Sequence, residues 1–396
     1  MIHTYQKPLS GNSVGVVFGS FAPLHQGHLD LIYRAKKEND GGALVIVCGF
    51  DGDKGGPDMD LKRRYRYVRE FFADDDLVAV YAINDTELGL ERYPNGWVGW
   101  MAEFEHIWEK ATIIEHRYTR HPLVVDGKEF EATTYLGMSP PFRKWYVGDR
   151  EYYVDLDAMW HEDVVFVDRT SDNPISATKI RNNPIKHWDK ITFPFRRIFS
   201  HNILICGTAS EGKSTLVTDL GKYFNAPYSW EWPRDYMKES CVSDWELDGA
   251  DYMAFLQGQY DLNKKLINSP ANNGIFFADT DSMVTRMYAE YYAKDDTCAL
   301  TEEEFEKIAV AADEYTRKSR WDKIFLLGPH GTFVDDHERY MAHSGMKERQ
   351  ELYEILVKNL KESGNWDKVV ELNGNYYENF MTVVNYVREV IENGRN

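Results

Sequence analysis

Residues 202–215 read NILICGTASEGKST, and this stretch decides the fold of the second half of the chain. Its first five residues are mostly apolar without alternation, which is typical of a strand buried on both faces of a parallel sheet. Residues 207–214 match the pattern G-x-x-x-x-G-K-[ST] at every fixed position, and we expect a helix over residues 215–224. In this pattern a glycine-rich loop and the start of a helix bind phosphate through backbone N–H groups. The second half is therefore predicted to be an α/β fold that binds a nucleoside triphosphate.

Five positions in and after this loop are predicted to bind the nucleotide. Gly207 and Gly212 let the backbone wrap around the β-phosphate, and Thr215 belongs to the helix start. Lys213 is placed to bridge the β- and γ-phosphates, and the Ser214 hydroxyl to ligate Mg²⁺. The alternative is a glycine-rich turn that binds nothing, and the strand before the loop and the helix after it argue against that alternative.

Two further segments of the second half carry candidate site residues. Residues 275–278 (IFFA) predict a short buried strand that runs into Asp279, from where a carboxylate reaches the metal side of a nucleotide. Another extended stretch precedes the motif WEWPRD. In this motif Glu231 is a candidate base for a hydroxyl, Trp230 a stacking surface and Arg234 a phosphate anchor. The alternatives are an aspartate that only forms a turn and tryptophans that belong to the core.

The segment of residues 331–349 is polar and rich in charge, and it follows a strand predicted at residues 324–327. Such a segment is typical of a lid that brings an arginine, here Arg339, to the γ-phosphate. A solvated helical hairpin is the alternative. Arg339 is therefore a further candidate ligand of ATP.

The first half opens on a similar design with a different loop. Residues 14–18 (VGVVF) and 43–48 (ALVIVC) predict buried parallel strands, joined by the loop of residues 19–28 (GSFAPLHQGH) and a helix. His25 and His28 lie three residues apart at the start of that helix, where the backbone favours anions. We interpret them as a phosphate site that stabilises charge on a phosphoryl group during transfer. A histidine metal pair is the alternative, but no third ligand follows at a suitable spacing.

A second polar helix start follows a strand predicted at residues 164–167. In residues 173–181 (NPISATKIR), Ser176 predicts an N-cap, with Thr178 and Arg181 in the first turn and a half of the helix. Hydroxyl and basic side chains at a helix start favour a polyphosphate ligand. A capped surface helix without a ligand is the alternative.

Composition limits the class of protein. The chain has 396 residues, 43% of them hydrophobic and 28% charged, which is ordinary for a globular protein of two or three domains and excludes a disordered chain. The formal net charge of −18 makes nucleic acid an unexpected partner, because phosphates would be repelled on average. The first residues lack the apolar core of a signal peptide, no apolar run is long enough to cross a membrane, and the four cysteines lie far apart. We therefore expect reduced thiols, no membrane partner, a cytoplasmic location and two domains, residues 1–195 and 196–396.

The two motifs of the first half together resemble the paired signature of the nucleotidyltransferase superfamily. GSFAPLHQGH corresponds to [T/H]-x-G-H near the first strand, and ISATKIR to I-S-x-T-x-x-R late in the domain. Residues 93–97 (YPNGW), with Trp100, are similar to the stretch found in bifunctional NadR-type proteins. In that family the P-loop domain shows W-E-x-x-R, D-T-D and V-D-D…R, and this chain has them at residues 230–234, 279–281 and 334–339. The resemblance covers nearly the whole chain.

This resemblance implies an α/β architecture in which a nucleotidyltransferase-type domain with a Rossmann-like parallel sheet precedes a P-loop kinase domain. The first domain would adenylylate nicotinamide mononucleotide with ATP, giving NAD and pyrophosphate. The second would phosphorylate nicotinamide riboside with ATP to give that mononucleotide, and both would use Mg²⁺. The alternative is a regulatory protein that senses NAD and ATP with one or both sites inactive, and a homo-oligomer is compatible with either function.

The resemblance also implies roles for individual residues. In the first half the residues implied to bind ATP are Gly19, Phe21, His25, His28, Ser176, Thr178 and Arg181. The two histidines among them would also be catalytic. Those implied to bind nicotinamide mononucleotide are Tyr93, Asn95 and Trp97, whose indole would pack on the charged nicotinamide ring. In the second half Lys213 and Glu231 would be catalytic, with Glu231 as the base for the 5′-hydroxyl of the riboside. Those implied to bind the riboside are Trp230, Glu231, Arg234 and Asp279, and Ser214 with Asp279 would hold the metal.

Two positions depart from the pattern of the family. Ser20 stands where several relatives have lysine, so one phosphate contact is missing or is supplied by another residue. Phe333 stands where relatives have tryptophan. Few residues precede the first predicted strand, so we do not expect the DNA-binding helix-turn-helix that some family members carry, nor repressor activity.

Overall fold

The computed structural model describes residues 6–54, 56–112, 115–125, 128–139, 141–168, 175–295, 297–330 and 345–394. The chain divides into two compact units, Met1–Ile198 and Phe199–Asn396, each with its own core.

The described residues of the first unit form a parallel sheet of five strands, a separate hairpin and surrounding helices. The strands are β1 (Ser13–Gly19), β2 (Ala43–Val47), β3 (Val78–Ala82), β4 (Glu115–Val125), β5 (Lys128–Ser139), β6 (Phe142–Val147) and β7 (Asp163–Phe166). The helices are α1 (Gln26–Glu38), α2 (Leu61–Phe71), α3 (Trp97–Ala111), α4 (Arg150–Val154), which continues into a π-helical turn (Asp155–Met159), α5 (Ala177–Asn182) and α6 (Phe193–Phe199).

The main sheet of this unit has the strand order β3-β2-β1-β6-β7 with every neighbouring pair parallel. The predicted strands at residues 14–18, 43–48 and 164–167 are confirmed to within one residue at each end. Strand β6 was not predicted, because Arg143 and Lys144 interrupt its apolar pattern. It lies beside β1 and reverses the strand order there, and a crevice at such a point is where α/β sheets bind their ligands.

Aromatic side chains fill the core on one face of this sheet. Helix α3 presents Trp100, Phe104 and Trp108 at intervals of four residues, which places them on one side of the helix. The Trp100 and Phe104 rings are parallel with centroids 6.0 Å apart, and Phe104 also contacts Trp145 of β6 at 4.6 Å. The helix that follows the YPNGW motif is therefore fixed to the sheet by its own apolar stripe.

Strands β4 and β5 form a two-stranded antiparallel hairpin that the sequence reasoning did not identify. Their pairing runs from Glu115 opposite Ser139 to Val125 opposite Lys128, with an irregularity next to Arg117. In the described part of the chain this hairpin is a sheet of its own and does not extend the parallel sheet.

The second unit contains a second parallel sheet covered by helices. Its strands are β8 (His201–Gly207), β9 (Tyr228–Ser229), β10 (Ile275–Ala278), β11 (Lys323–Leu327) and β12 (Val369–Leu372). Its helices are α7 (Lys213–Phe224), α8 (Trp232–Ser240), α9 (Gly249–Ile267), α10 (Ser282–Tyr292), α11 (Glu302–Lys318), α12 (Met346–Glu362) and α13 (Tyr376–Asn393).

The strand order of this sheet is β12-β11-β8-β10-β9, again with every neighbouring pair parallel. Strand β8 is central, and all seven of its residues are buried. The predicted strands at residues 202–206, 275–278 and 324–327 are confirmed, whereas the short edge strand β12 was not predicted. Because β8, β10 and β9 are neighbours, the segments that follow them meet at one edge of the sheet.

Within the described residues, no helix has both the length and the apolar character needed to cross a bilayer. The four cysteines are free thiols, of which Cys206 is buried and Cys48 half-buried. Burial raises the pKa of Cys48 to about 12, so this thiol stays protonated at neutral pH.

Candidate active sites

The first unit has a cavity of about 780 Å³ at the carboxyl edge of its sheet. It is lined by segments that follow β1, β2, β3 and β6 and by the start of α5. The predicted site residues that line it are Gly19, Phe21, His25, His28, Tyr93, Trp97, Ser176, Thr178 and Arg181. One cavity therefore collects both phosphate motifs and the YPNGW stretch. Asn95 is exposed and is not among the lining residues.

The loop after β1 presents the two histidines side by side. Phe21 has a left-handed backbone (φ 45°) and is only 1% exposed, and its ring contacts the edge of His28 at a centroid distance of 5.0 Å. His25 caps helix α1 by accepting a hydrogen bond from the Gly27 N–H to its Nδ1, at 3.1 Å. Because Nδ1 is an acceptor, a neutral His25 carries its proton on Nε2. The His25 and His28 ring centroids are 3.9 Å apart, as expected for two groups that serve one anion.

The second phosphate motif is hydrogen-bonded to the first. Ser176 caps α5 as predicted, since its hydroxyl accepts from the Lys179 N–H at 3.3 Å. The Arg181 guanidinium donates to the Ala22 carbonyl at 2.6 Å and to the Thr178 hydroxyl at 3.2 Å. One side chain thus ties the loop after β1 to a helix that follows it by about 150 residues, and the pairing predicted from the motifs exists in space.

Stacked aromatic rings line the other side of the cavity. Trp97 is parallel to Trp100 at 5.2 Å and to Tyr152 at 6.0 Å, and only 7% of it is exposed. Tyr93 donates its hydroxyl proton to Asp155 at 2.5 Å, and burial together with that carboxylate raises the pKa of Tyr93. Phe18 and Tyr93 also contact Trp97, so a ligand ring would reach its indole face only after one of these aromatic rings moves.

A buried arginine that sequence reasoning missed holds the loops at this edge of the sheet. Arg64 donates to the carbonyl oxygens of Ser20, Cys48 and Gly49 at 2.6, 2.7 and 3.0 Å, and its side chain is 3% exposed. These carbonyls belong to the segments after β1 and β2. A signal was present, since position 64 shares a helix face with the buried Leu61.

Two cations at the rim of the cavity also went unpredicted. The ammonium of Lys54 lies 3.4 Å from the hydroxyl of Ser20. Ser20 is the residue that stands where several members of the family have lysine. Arg92 forms a two-pronged ion pair with Asp53, one of its contacts being 2.8 Å long. Lys54 therefore brings a positive charge from the loop after β2 to a place where Ser20 supplies none.

In the second unit the glycine-rich loop has the geometry that its motif requires. Gly207 has φ 150°, and a Cβ there would lie 2.5 Å from the Leu327 carbonyl oxygen, so only glycine fits. Gly212 has φ 80°, which also favours glycine. Lys213 begins α7, is 4% exposed and donates to the Thr208 carbonyl at 2.6 Å. The next two positions, 214 and 215, are exposed on the first turn of the helix.

Two carboxylates meet the loop from the neighbouring strands. Glu231 follows β9 and Asp279 follows β10, and Glu231 Oε1 lies 4.0 Å from the Lys213 ammonium. Arg234 forms a close ion pair with Glu231. Burial, and secondly the charge of Glu231, raises the pKa of Asp279 to about 6, while Lys213 and a hydrogen bond with Ser214 oppose that rise. The structure therefore brings together five residues that the sequence predicted for the kinase site: Lys213, Ser214, Glu231, Arg234 and Asp279.

Other predicted features of the second unit differ in their exposure. Trp230 is 47% exposed and donates its indole N–H to Asp235 at 2.6 Å, so its ring is accessible for stacking. Trp232, by contrast, packs over Gly258, where a Cβ would lie 2.4 Å from the ring, and belongs to the core. Arg339 and the V-D-D motif lie outside the described residues.

The fold and these two sites define a class of protein: an α/β transferase with a nucleotidyltransferase unit followed by a P-loop kinase unit. Residues 16–183 match the model of the cytidylyltransferase-like family, and residues 202–379 match the model of the AAA domain. The predicted fold class is thereby confirmed.

Comparison with whole proteins narrows the class to one family. The chain is 30% identical to the trifunctional NAD biosynthesis/regulator protein NadR of Salmonella typhimurium and 28% identical to that of Escherichia coli, in each case over 97% of this chain and 85% of the relative. It is 34% identical, with a TM-score of 0.80, to a crystal structure of NadR protein in complex with NR, and 33% identical, with a TM-score of 0.79, to one in complex with NAD and AMP-PNP. Each of these alignments covers 98% of both chains. The chain belongs to the NadR family, and it is a bifunctional transferase of NAD biosynthesis.

Proposed function

We propose that this chain converts nicotinamide riboside to NAD in two steps, with the kinase reaction in the second unit and the adenylyl transfer in the first. The observation that supports this proposal is that each of the two predicted phosphate motifs lies at the carboxyl edge of a parallel sheet of its own. The ligands of the two similar crystal structures, NR in one and NAD with AMP-PNP in the other, support this choice of substrates.

In the first unit the proposed step is attack of the mononucleotide phosphate oxygen on the α-phosphorus of ATP. A new P–O bond forms, the bond between the α- and β-phosphates breaks, and pyrophosphate leaves. His25 Nε2–H and His28 donate to the phosphate oxygens on which charge develops. Ser176, Thr178 and Arg181 hold the departing phosphates at the start of α5. Catalysis here rests on orientation and charge stabilisation, so no covalent nucleophile is required.

The nicotinamide part of the substrate is assigned to the aromatic side of the same cavity. Trp97 offers its indole to the positively charged ring, with Tyr93 beside it. The parallel stack of Trp97 with Tyr152 at 6.0 Å leaves too little room for an inserted ring, so we propose that Tyr152 rotates when the mononucleotide binds. Asn95 stays a predicted ligand that lies outside the lining residues.

In the second unit Glu231 is the proposed base. Its carboxylate accepts the proton of the riboside 5′-hydroxyl while that oxygen attacks the γ-phosphorus, and ADP leaves. Arg234 and Lys213 hold the Glu231 carboxylate in place through the ion pairs described above. Lys213 also neutralises the transferring phosphoryl group, which requires its ammonium to leave the Thr208 carbonyl and turn towards the nucleotide. Trp230 provides an accessible ring for the nicotinamide.

The residues near Asp279 fit the magnesium ion that the family implies. Asp279 Oδ1 is buried and makes no hydrogen bond to any described residue, and Ser214 is hydrogen-bonded to the same carboxyl group. Such an oxygen is a suitable ligand for Mg²⁺, which binds one or two carboxylates or hydroxyls together with the phosphates of ATP. When bound, the ion neutralises charge on the phosphates, and Ser214 and Asp279 are the residues that would hold it.

A mass-resolved product assay with purified protein, Mg·ATP and nicotinamide riboside tests this proposal. The wild type is expected to make NAD. Lys213→Ala should make no product from riboside but should still convert supplied mononucleotide to NAD, whereas His28→Ala should stop at mononucleotide. Each variant serves as the other's control, because each leaves one site intact.

Two results would contradict the proposal. Mononucleotide that accumulates in the wild type without any NAD would show that the first unit has another substrate or only senses nucleotides. Absence of both products, with ATP and NAD still bound, would favour a regulatory protein over an enzyme of NAD synthesis.

A further inference from the structure

A glutamate occupies the last variable position of the glycine-rich loop, directly before Gly212. Glu211 brings a negative charge into a loop that binds the negative phosphates of ATP. If this carboxylate faced the nucleotide, it would repel the ligand that the loop serves. The position is therefore acceptable only if the charge is turned away and neutralised.

The structure shows that both conditions hold. The Glu211 side chain is 0% exposed, and its Oε1 lies 3.2 Å from Nη1 of Arg349, which is itself 2% exposed. Oε2 accepts a hydrogen bond from the backbone N–H of His330 at 3.0 Å. The Thr208 hydroxyl, in the same loop, donates to Oε1 at 3.4 Å.

The partners of Glu211 come from two different elements. His330 follows the sheet strand β11, and Arg349 lies in the first turn of α12, where its N–H donates to the Gly345 carbonyl at 3.0 Å. One carboxylate thus joins the phosphate-binding loop to the end of a neighbouring strand and to a helix. A fully buried pair of this kind is costly to disrupt, because removal of one partner leaves the other charge buried without compensation.

We propose that Glu211 and Arg349 are positioning residues of the kinase, and that their buried ion pair sets the conformation of the phosphate-binding loop before ATP binds. Arg349 then acts through Glu211 and does not itself contact the phosphates. The same pair keeps the negative charge of Glu211 away from the nucleotide. The phosphates then face the positive charge of Lys213. This inference rests on the kinase activity proposed above.

The test compares Glu211→Gln, Arg349→Met and the double variant by calorimetric binding of Mg·AMP-PNP and by the KM and kcat of riboside phosphorylation. Each single variant removes one partner of the buried pair and leaves the opposite charge in place, so we expect the affinity for AMP-PNP to fall and the KM for ATP to rise about tenfold or more. The double variant removes both charges, so we expect it to recover most of the lost affinity. Adenylylation of mononucleotide, which uses the first unit, should stay unchanged in all three.

A matched ion pair on the same helix provides the control. Lys347 and Glu351 are 3.8 Å apart and are 84% and 50% exposed. Lys347→Met and Glu351→Gln should change neither affinity nor KM, because an exposed pair contributes little.

Two outcomes would overturn the proposal. If Arg349 binds the γ-phosphate directly, Arg349→Met and the double variant would both lose kcat about a hundredfold, and Glu211→Gln would not be rescued by the second change. If the pair serves only folding, the melting temperature would fall in the single variants while affinity and KM stay at wild-type values. The AMP-PNP measurement needs no turnover. A wild type that binds AMP-PNP but does not phosphorylate riboside would therefore contradict the proposed function and leave the positioning role of the pair still testable by binding.

Discussion

A short motif predicts which residues belong to a site, but the hydrogen bonds of each side chain in the structure are needed to assign its role. The motif predicts that His25 lies near a phosphate. The hydrogen bond that His25 Nδ1 accepts from the Gly27 N–H adds that a neutral His25 carries its proton on the other ring nitrogen, Nε2. Asp279 and Asp281 are two residues apart, yet they differ in role. Asp281 caps α10 and accepts from the Trp321 indole at 2.9 Å, while Asp279 keeps one buried oxygen without a hydrogen bond to any described residue.

Arg64 allows the first prediction at this scale. Arg64→Met should lower the free energy of unfolding of the first unit by about 2–4 kcal/mol, because four carbonyl oxygens lose their donor. It should also raise the KM for ATP in adenylylation, since the loop after β1 carries the histidines. Denaturant unfolding and steady-state kinetics measure these effects. Arg66→Met, at an exposed position of the same helix, is the control, and equal effects of the two variants would contradict the assignment.

Asp281 allows a prediction about pH. Burial raises the pKa of Asp281 to about 6, from an ordinary value of 3.8. Between these values the folded state binds more protons than the unfolded state, so this group's contribution to stability falls as the pH rises from about 4 to about 6 and is constant above. The shift corresponds to roughly 3 kcal/mol at most.

Asp281→Asn removes this titration. The difference in unfolding free energy between wild type and variant, measured by denaturant unfolding, should therefore change in favour of the variant as the pH rises from 4 to 7. The variant should be less stable at pH 4, because it loses an acceptor of the Trp321 N–H. A difference that stays constant with pH would contradict the assignment, and Asp367→Asn, at an exposed position, provides the comparison.

At the scale of elements, both sites are made by segments that follow neighbouring parallel strands. Strands β8, β10 and β9 lie side by side, so the glycine-rich loop, Asp279 and Glu231 converge although about 70 residues separate the first from the second. In the first unit, α5 reaches the loop after β1 through the hydrogen bond from Arg181 to Ala22. Positions of elements in a sheet, more than distance along the chain, decide which side chains share a site.

The close approach of β8 and β11 gives a prediction at this scale. Gly207→Ala should raise the KM for ATP in the kinase reaction at least tenfold, because the added Cβ would lie 2.5 Å from the Leu327 carbonyl and push the loop out of position. Kinetics of riboside phosphorylation measure the effect. Gly364→Ala is the control, since Gly364 also has positive φ (72°) but no atom within 4 Å of the added Cβ. It should cost about 1 kcal/mol of stability and leave the kinase unchanged.

For the whole molecule, the formal charge is −18, yet both sites bind polyanions in the proposed reactions. The local charge differs from the total because Lys54, Lys179 and Arg181 line the first cavity, and Lys213 and Arg234 lie at the second site. At the second site two carboxylates, Glu231 and Asp279, offset these cations, which is consistent with the proposed Mg²⁺ there. On this proposal ATP binds together with its metal ion.

Chelation tests this at the scale of the whole protein. Excess EDTA should abolish both reactions, because the phosphates lose their neutralising ion, and should leave the melting temperature of the ligand-free chain unchanged. The reason is that Ser214 and Asp279 are too few to hold Mg²⁺ without ATP. Activity assays and a thermal melt measure these effects, with Mg²⁺ added back as the control. A melting temperature that falls with EDTA would instead reveal a metal ion that is part of the ligand-free fold.

Local patterns of the sequence predicted the fold class and the family correctly, because both depend on apolar runs, glycines at fixed spacing and helix starts. Strand β6 was not predicted from the sequence, because Arg143 and Lys144 interrupt its apolar pattern, and neither was the β4–β5 hairpin. Which side chains contact one another depends instead on the packing of the folded chain. Arg64 holding three carbonyls, Lys54 beside Ser20, and Glu211 paired with Arg349 all join residues distant in the chain. Such contacts depend on strand order and on the directions of side chains, and neither can be predicted from a short stretch of sequence.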